Sequence, residues 1–147
     1  MKSGIRRTGS RPGLGIGLGC AFLLFLGSRP ARPQAPRMIE ILADHDSRFK
    51  IAGEKEPEIT AHAGEPLLFR VTAVKAKNRN RDGSFHGFAL LRAKDRSRVP
   101  GWDFLLKPGV QDLTATAPAE PGEYVVVCTV ICSDDHEGMH MKFVVVP

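Results

Sequence analysis

The sequence predicts an all-β domain, a small Greek-key sandwich of seven or eight strands. Three observations lead there. From residue 38 onward the apolar runs are short, turn residues punctuate them at close intervals, and no long apolar period of 3.6 residues occurs. Roughly 110 residues with this pattern suit a small two-sheet sandwich.

Residues 38–43 read as a first strand and 48–52 as a second, with a turn at 53–57. Residues 58–61 lead into the turn Ala63-Gly64-Glu65-Pro66. The β-branched and aromatic run 67–74 is a strand. The polar stretch 75–84 holds Asp82-Gly83, a turn signal, and 85–92 is the next strand. Pro100-Gly101 makes 99–102 loop or edge. After the turn at Pro108-Gly109, residues 110–117 alternate, with Leu113, Ala115 and Ala117 on one face. Residues 118–122 turn the chain, 124–131 are strongly β-forming, and 142–146 form the last strand.

Ahead of the domain, residues 1–37 read as a signal peptide or membrane anchor followed by a linker. Residues 1–11 are basic, 14–27 are apolar and uncharged, and Arg29 follows. The apolar stretch is short of the roughly 20 residues that span a bilayer. Arg6-Arg7 offers the first element of a twin-arginine signal, and Gly19-Cys20 lies inside the apolar run, unlike a lipid-attachment cysteine. Residues 28–37 are rich in Pro and Arg, as extended linkers are. The folded domain is expected to span 38–147.

The formal charge of +5 belongs to this leader. Seven of the 21 Lys/Arg lie in residues 1–37 with no acid, which leaves 14 basic against 16 acidic side chains, a net of −2, on the domain. That balance argues against nucleic-acid binding. Lys75, Lys77, Arg79 and Arg81 read as a solvated loop. His45 and His62 read as surface histidines.

The chemistry is concentrated in residues 128–139, where the spacing is Cys-x3-Cys-x3-His-x2-Met. Cys128, Cys132, His136 and Met139 offer two thiolates, an imidazole and a thioether. This soft set suits copper in its lower oxidation state or a delocalised copper pair. Zinc accepts two Cys and two His but has little use for Met. Iron–sulfur clusters normally need four Cys, and magnesium and calcium need oxygen donors. A loop between two paired strands is held at both ends, so its donors converge. The best second imidazole is His86, in Ser84-Phe85-His86-Gly87-Phe88, where a polar loop enters a strand. Gly87 permits close approach, and Phe85 and Phe88 can shield the site. A disulfide between Cys128 and Cys132 is the competing use of the thiols. His140 and Met141 are expected to point alternately out and in rather than bind metal.

Tyr124-x3-Cys128-x3-Cys132-x3-His136-x2-Met139, with His86-Gly87-Phe88 upstream, resembles the CuA domain of cytochrome c oxidase subunit II and of nitrous oxide reductase, over about residues 55–147. The resemblance implies a cupredoxin-type β-sandwich with two copper ions bridged by Cys128 and Cys132. It implies that His86 and His136 each cap one copper, that Met139 is a weak axial ligand, and that Val130 contributes its backbone carbonyl. Val130 stands where that family usually has Glu, and Ser133 where it often has Gly. The family's aromatic cluster before the first histidine has no counterpart, since the single Trp, Trp102, follows His86. One short apolar run replaces the usual two membrane helices.

The expected function is electron relay through a binuclear copper centre. Electrons would arrive from an exported redox protein such as a c-type cytochrome and pass to a terminal oxidase or reductase, at the periplasmic or extracytoplasmic face. Nothing resembles an acid–base pair or nucleophile beside an open position, so no catalysis is expected from this chain alone. Two alternatives remain: an exported copper carrier or assembly factor, suggested by Met139-His140-Met141, and a protein holding a single copper.

Overall fold

The computed structural model describes residues 35–147. The targeting segment and most of the linker expected at 1–37 lie outside the described residues. Nine strands follow in order: β1 (Arg37–Ala43), β2 (Phe49–Lys50), β3 (Glu58–His62), β4 (Pro66–Ala73), β5 (His86–Arg92), β6 (Arg98–Leu106), β7 (Gly109–Thr116), β8 (Gly122–Val127) and β9 (His140–Val146). They form a four-stranded sheet ordered β2-β1-β4-β7 and a five-stranded sheet ordered β3-β9-β8-β5-β6. Both sheets are mixed, because β1 runs parallel to β4 and β3 parallel to β9 while the other pairings are antiparallel. The chain crosses repeatedly from one sheet to the other, so the strands expected from the sequence assemble as a Greek-key sandwich.

Alternation decides which residues face inward. Ile39, Ile41 and Ala43 of β1 and Leu67, Phe69, Val71 and Ala73 of β4 are buried at every second position. Phe88, Leu90, Trp102, Val126, Phe143 and Val145 answer them from the other sheet. The aromatic rings meet edge-on or tilted: Phe49 with Phe88 at 5.5 Å, Phe69 with Phe88 at 5.3 Å, Phe69 with Trp102 at 5.4 Å, and Trp102 with Phe143 at 5.3 Å. Trp102 also donates its indole N–H to the Thr116 carbonyl at 2.9 Å, joining the two sheets.

Two stretches differ from expectation, and one open choice is decided. Of loop or edge, residues 99–102 take the edge, as part of the nine-residue strand β6. An edge tolerates Pro100, which has no N–H to donate, and Gly101 takes a φ of +78° within the stretch of β6 where its register with β5 shifts. The second strand shrinks to two residues. The β-forming run 124–131 leaves the ladder after Val127, where the chain turns into the Cys128 loop.

Glu65 pins the start of β4. Its carboxylate accepts from Arg37 Nε at 2.6 Å and from the His62 backbone N–H at 2.8 Å, with the side chain 8% exposed. The Arg37 bond, aided by the His62 N–H, holds its carboxyl below the usual range against the opposing effect of burial. A depressed folded-state pKa stabilises the fold at any pH above the ordinary glutamate value, and that contribution is lost as pH falls through the folded value. Glu65→Gln should cost about 1.5 to 3 kcal/mol at neutral pH. The deficit should shrink on acidification below pH ~4, as read by urea unfolding at each pH.

Candidate metal centre

Three loops meet at one end of the sandwich. The loop after β8 carries both cysteines, and its ends are tied by the Cys128 N–H to the Met139 carbonyl at 3.0 Å. That bond extends the β8–β9 pairing and holds the loop at both ends. The β4–β5 loop touches it through the Asn78 N–H, which donates to the Cys132 carbonyl at 2.8 Å. The β1–β2 loop brings Ser47 to within 3.6 Å of Cys132 Sγ.

The donor atoms of His86, Cys128 and Cys132 lie within 4.8 Å of one another. The two Sγ atoms are 3.9 Å apart as free thiols, and Met139 Sδ is 4.0 Å from Cys132 Sγ. His86 and Cys132 are fully buried and Met139 nearly so, while Cys128 is half-buried. His86 opens β5 with its side chain on the core face, two residues before Phe88 on the same face.

The imidazole is poised as a ligand. His86 Nε2 is 2.8 Å from the Val74 carbonyl, which only accepts, so Nε2 carries the proton. Burial pushes the pKa of His86 down and so favours the neutral ring, partly offset by the Val74 bond and by the negative charge of Asp44. Nδ1 is then a bare lone pair, buried and without any hydrogen-bond partner. An orphaned buried acceptor on a ring clustered with two thiols fits a metal better than it fits a structural histidine.

Gly87 sets the distance between strand and loop. Its N–H donates to Cys128 Sγ at 3.3 Å. A Cβ at this position would stand 2.0 Å from Thr129 Oγ1 and 2.7 Å from the Thr129 backbone N. The Cys128 S–H in turn reaches the Val130 carbonyl at 3.3 Å. Burial pushes the Cys128 thiol up to about 11, against the lowering effect of these two backbone contacts. A metal binding there must therefore displace a proton.

The remaining sequence-derived candidates divide. Val130 is buried, with its carbonyl 3.3 Å from Cys128 Sγ. His136 begins a single 3-10 turn (His136–Gly138) and is half-buried. Its Nδ1 lies 3.2 Å from the Ser133 carbonyl, and it does not join the cluster of His86, Cys128 and Cys132. His140 is exposed and Met141 buried, in the alternation expected of a strand. His45 and His62 are exposed, and so are Lys75, Lys77, Arg79 and Arg81. A groove of about 760 Å³ over the outer face of the four-stranded sheet, beside Glu40, Leu42 and Arg70, contains none of the donors.

Sequence reasoning missed Ser47. It is fully enclosed, adopts a φ of +57°, and bonds to Ser133 Oγ at 2.6 Å. Only the folded position of the β1–β2 turn brings it to the cysteines, and no local pattern signals that.

No protein-family model and no curated protein matches the sequence. Solved structures do resemble the fold. Auracyanin A, a "blue" copper protein of the green thermophilic photosynthetic bacterium Chloroflexus aurantiacus, aligns at 22% identity and TM-score 0.54, covering 76% of this chain and all of that one. Rusticyanin from Thiobacillus ferrooxidans aligns at 18% identity and TM-score 0.52, covering 74% of this chain and 76% of that one. A chain of a heme-copper terminal oxidase dimer aligns at 19% identity and TM-score 0.50, covering 80% and 76%. At these identities the likeness concerns architecture, and by architecture residues 35–147 form a cupredoxin-type β-sandwich.

Proposed function

We propose that this chain is a copper-binding electron-transfer protein, with a two-copper, CuA-type centre held by His86, Cys128, Val130, Cys132, His136 and Met139. The observation that carries copper binding is a buried, unpartnered Nδ1 on His86, whose ring brings a ligand atom within 4.8 Å of both thiol sulfurs. The soft donor set supports copper over harder ions. Auracyanin A and rusticyanin, which share the fold, are copper proteins, and the third relative belongs to a heme-copper oxidase.

Bound copper would supply one-electron exchange between its two oxidation states. The chain's own residues do the rest. Cys128 and Cys132 give up their protons and present two sulfurs 3.9 Å apart. Val74 holds the His86 ring in the tautomer that leaves Nδ1 free. Met139 approaches from the loop's far end. Because His86 opens β5 and the Cys128–Met139 loop is tied at both ends, the donors would be held in similar positions in both redox states, which would keep reorganisation small. Ile131, 67% exposed beside the buried Cys132, gives a partner an apolar contact one residue from the sulfur. The partner we infer is an exported redox protein such as a c-type cytochrome, with a terminal oxidase or reductase as acceptor, at the extracytoplasmic face. An N-terminal signal or anchor would deliver the domain there.

One observation favours a single-copper reading: His136 stands outside the cluster that His86 forms with the cysteines. A copper carrier is the other rival. Cyclic voltammetry of the copper-loaded chain, with a Cu(I) chelator present, separates relay from carriage. Relay predicts a reversible one-electron wave and metal retained through repeated cycles. Prompt loss of copper to the chelator on reduction would show a carrier.

A further inference from the structure

We propose that Ser47 donates a hydrogen bond to the Cys132 thiolate and thereby raises the reduction potential of the centre, acting as a positioning residue from a loop that supplies no ligand. The inference rests on the copper reading above. Its geometry stands independently.

Ser47 Oγ lies 3.6 Å from Cys132 Sγ and 2.6 Å from Ser133 Oγ. Ser133 Oγ also accepts from the Asp135 backbone N–H at 3.0 Å. The two hydroxyls share one short bond, so one must donate to the other. A deprotonated sulfur only accepts. With Cys132 as a thiolate, the Ser47 proton turns to the sulfur, and Ser133 donates to Ser47. The chain of donors then runs from the Asp135 N–H through Ser133 and Ser47 to Cys132, with every hydroxyl proton used.

The backbone is organised to hold this hydroxyl in place. Ser47 takes a left-handed φ of +57°, which a side chain adopts at a cost and glycine does not. Such strain persists where the surroundings over-determine it. Here the Ser47 N–H donates to the Asp44 carbonyl at 3.2 Å, and the Asp44 N–H to the Arg48 carbonyl at 3.0 Å. Lys50 Nζ bonds the carboxylates of Asp44 and Asp46 at 2.6 Å each. Arg48 Nη1 donates to the Ser47 carbonyl at 2.9 Å and packs 3.2 Å from where a Gly138 Cβ would stand. A glycine would relax the turn. A serine keeps it strained and puts a hydroxyl on the sulfur.

A donor to a thiolate withdraws electron density from it, which disfavours the more oxidised metal. Removing the donor should lower the potential. Ser47→Ala and Ser47→Gly both remove the hydroxyl, but only glycine relieves the backbone. In the copper-loaded chain both should weaken the preference for the reduced state about three- to tenfold, or about 30 to 60 mV. Unfolding should separate them, with the glycine variant the more stable. A potential that does not move, or that moves in one variant only, overturns the proposal in favour of a purely structural serine. Loading with Cd(II) alone keeps the test separate from the copper reading. The thiolate-to-cadmium absorption should shift to longer wavelength in both variants, and an unshifted band overturns the hydrogen bond. A chain that takes up no copper, yet shows the cadmium shift, refutes the function above and leaves the Ser47 bond standing.

Discussion

A His86→Leu variant should fold as well as the parent chain and lose its metal. The imidazole makes one useful bond, to the Val74 carbonyl at 2.8 Å, and buries one acceptor, Nδ1, with no partner at all. Losing a hydrogen bond costs about 1 kcal/mol, and an unsatisfied buried group costs about 1 to 3 kcal/mol. Replacing the ring by an apolar side chain of comparable bulk removes both. The metal-free stability should therefore change by no more than about 1 kcal/mol in urea titration. Copper affinity should fall more than about 100-fold, since outer-shell partners alone are worth 10- to 100-fold. A large loss of stability with metal binding intact would make His86 a structural histidine.

Gly87→Ala should damage both fold and site. The new Cβ would meet the Thr129 side chain at 2.0 Å and its backbone N at 2.7 Å. A side chain can rotate away, but the backbone N cannot, because the neighbouring Cys128 N–H is committed to the Met139 carbonyl. Strand and cysteine loop must separate, and the Gly87 N–H must leave Cys128 Sγ. Overpacking of this kind costs about 3 kcal/mol at the upper end of its usual range. Metal affinity should fall about 10- to 100-fold with the outer-shell bond. Adding Thr129→Gly removes the worst clash, so the double variant should recover part of the stability and little of the affinity. Wild-type unfolding for Gly87→Ala would contradict the close packing of loop on strand.

The candidate site was legible where its chemistry is local. Cys128, Cys132 and Met139, local in sequence between two β-forming runs, come together as expected, whereas His136 of the same run stands outside the cluster. His86 lies far upstream, yet its place at the start of a strand, followed by a glycine, marked it. Ser47 left no such trace, since it reaches Cys132 only through the β1–β2 turn and the parallel pairing of β1 with β4. Pairings between distant strands are what a local pattern does not encode. The same limit explains β6, where Pro100-Gly101 left loop and edge open. An edge position absorbs both residues, but edge or centre is decided by the whole sheet. Val130 and Ile131 show propensity overruled: both favour strands, and both sit in the loop, one buried against the site and the other exposed.

The copper count and the EPR spectrum of the copper-loaded chain bear most directly on a centre in which Cys128 and Cys132 hold two metals jointly. Two coppers per chain, with a hyperfine pattern from one unpaired electron shared equally by both nuclei, is the expected result, and Cys128→Ser should abolish it. One copper per chain with its electron confined to a single nucleus, or a shared signal that survives Cys128→Ser, would contradict it.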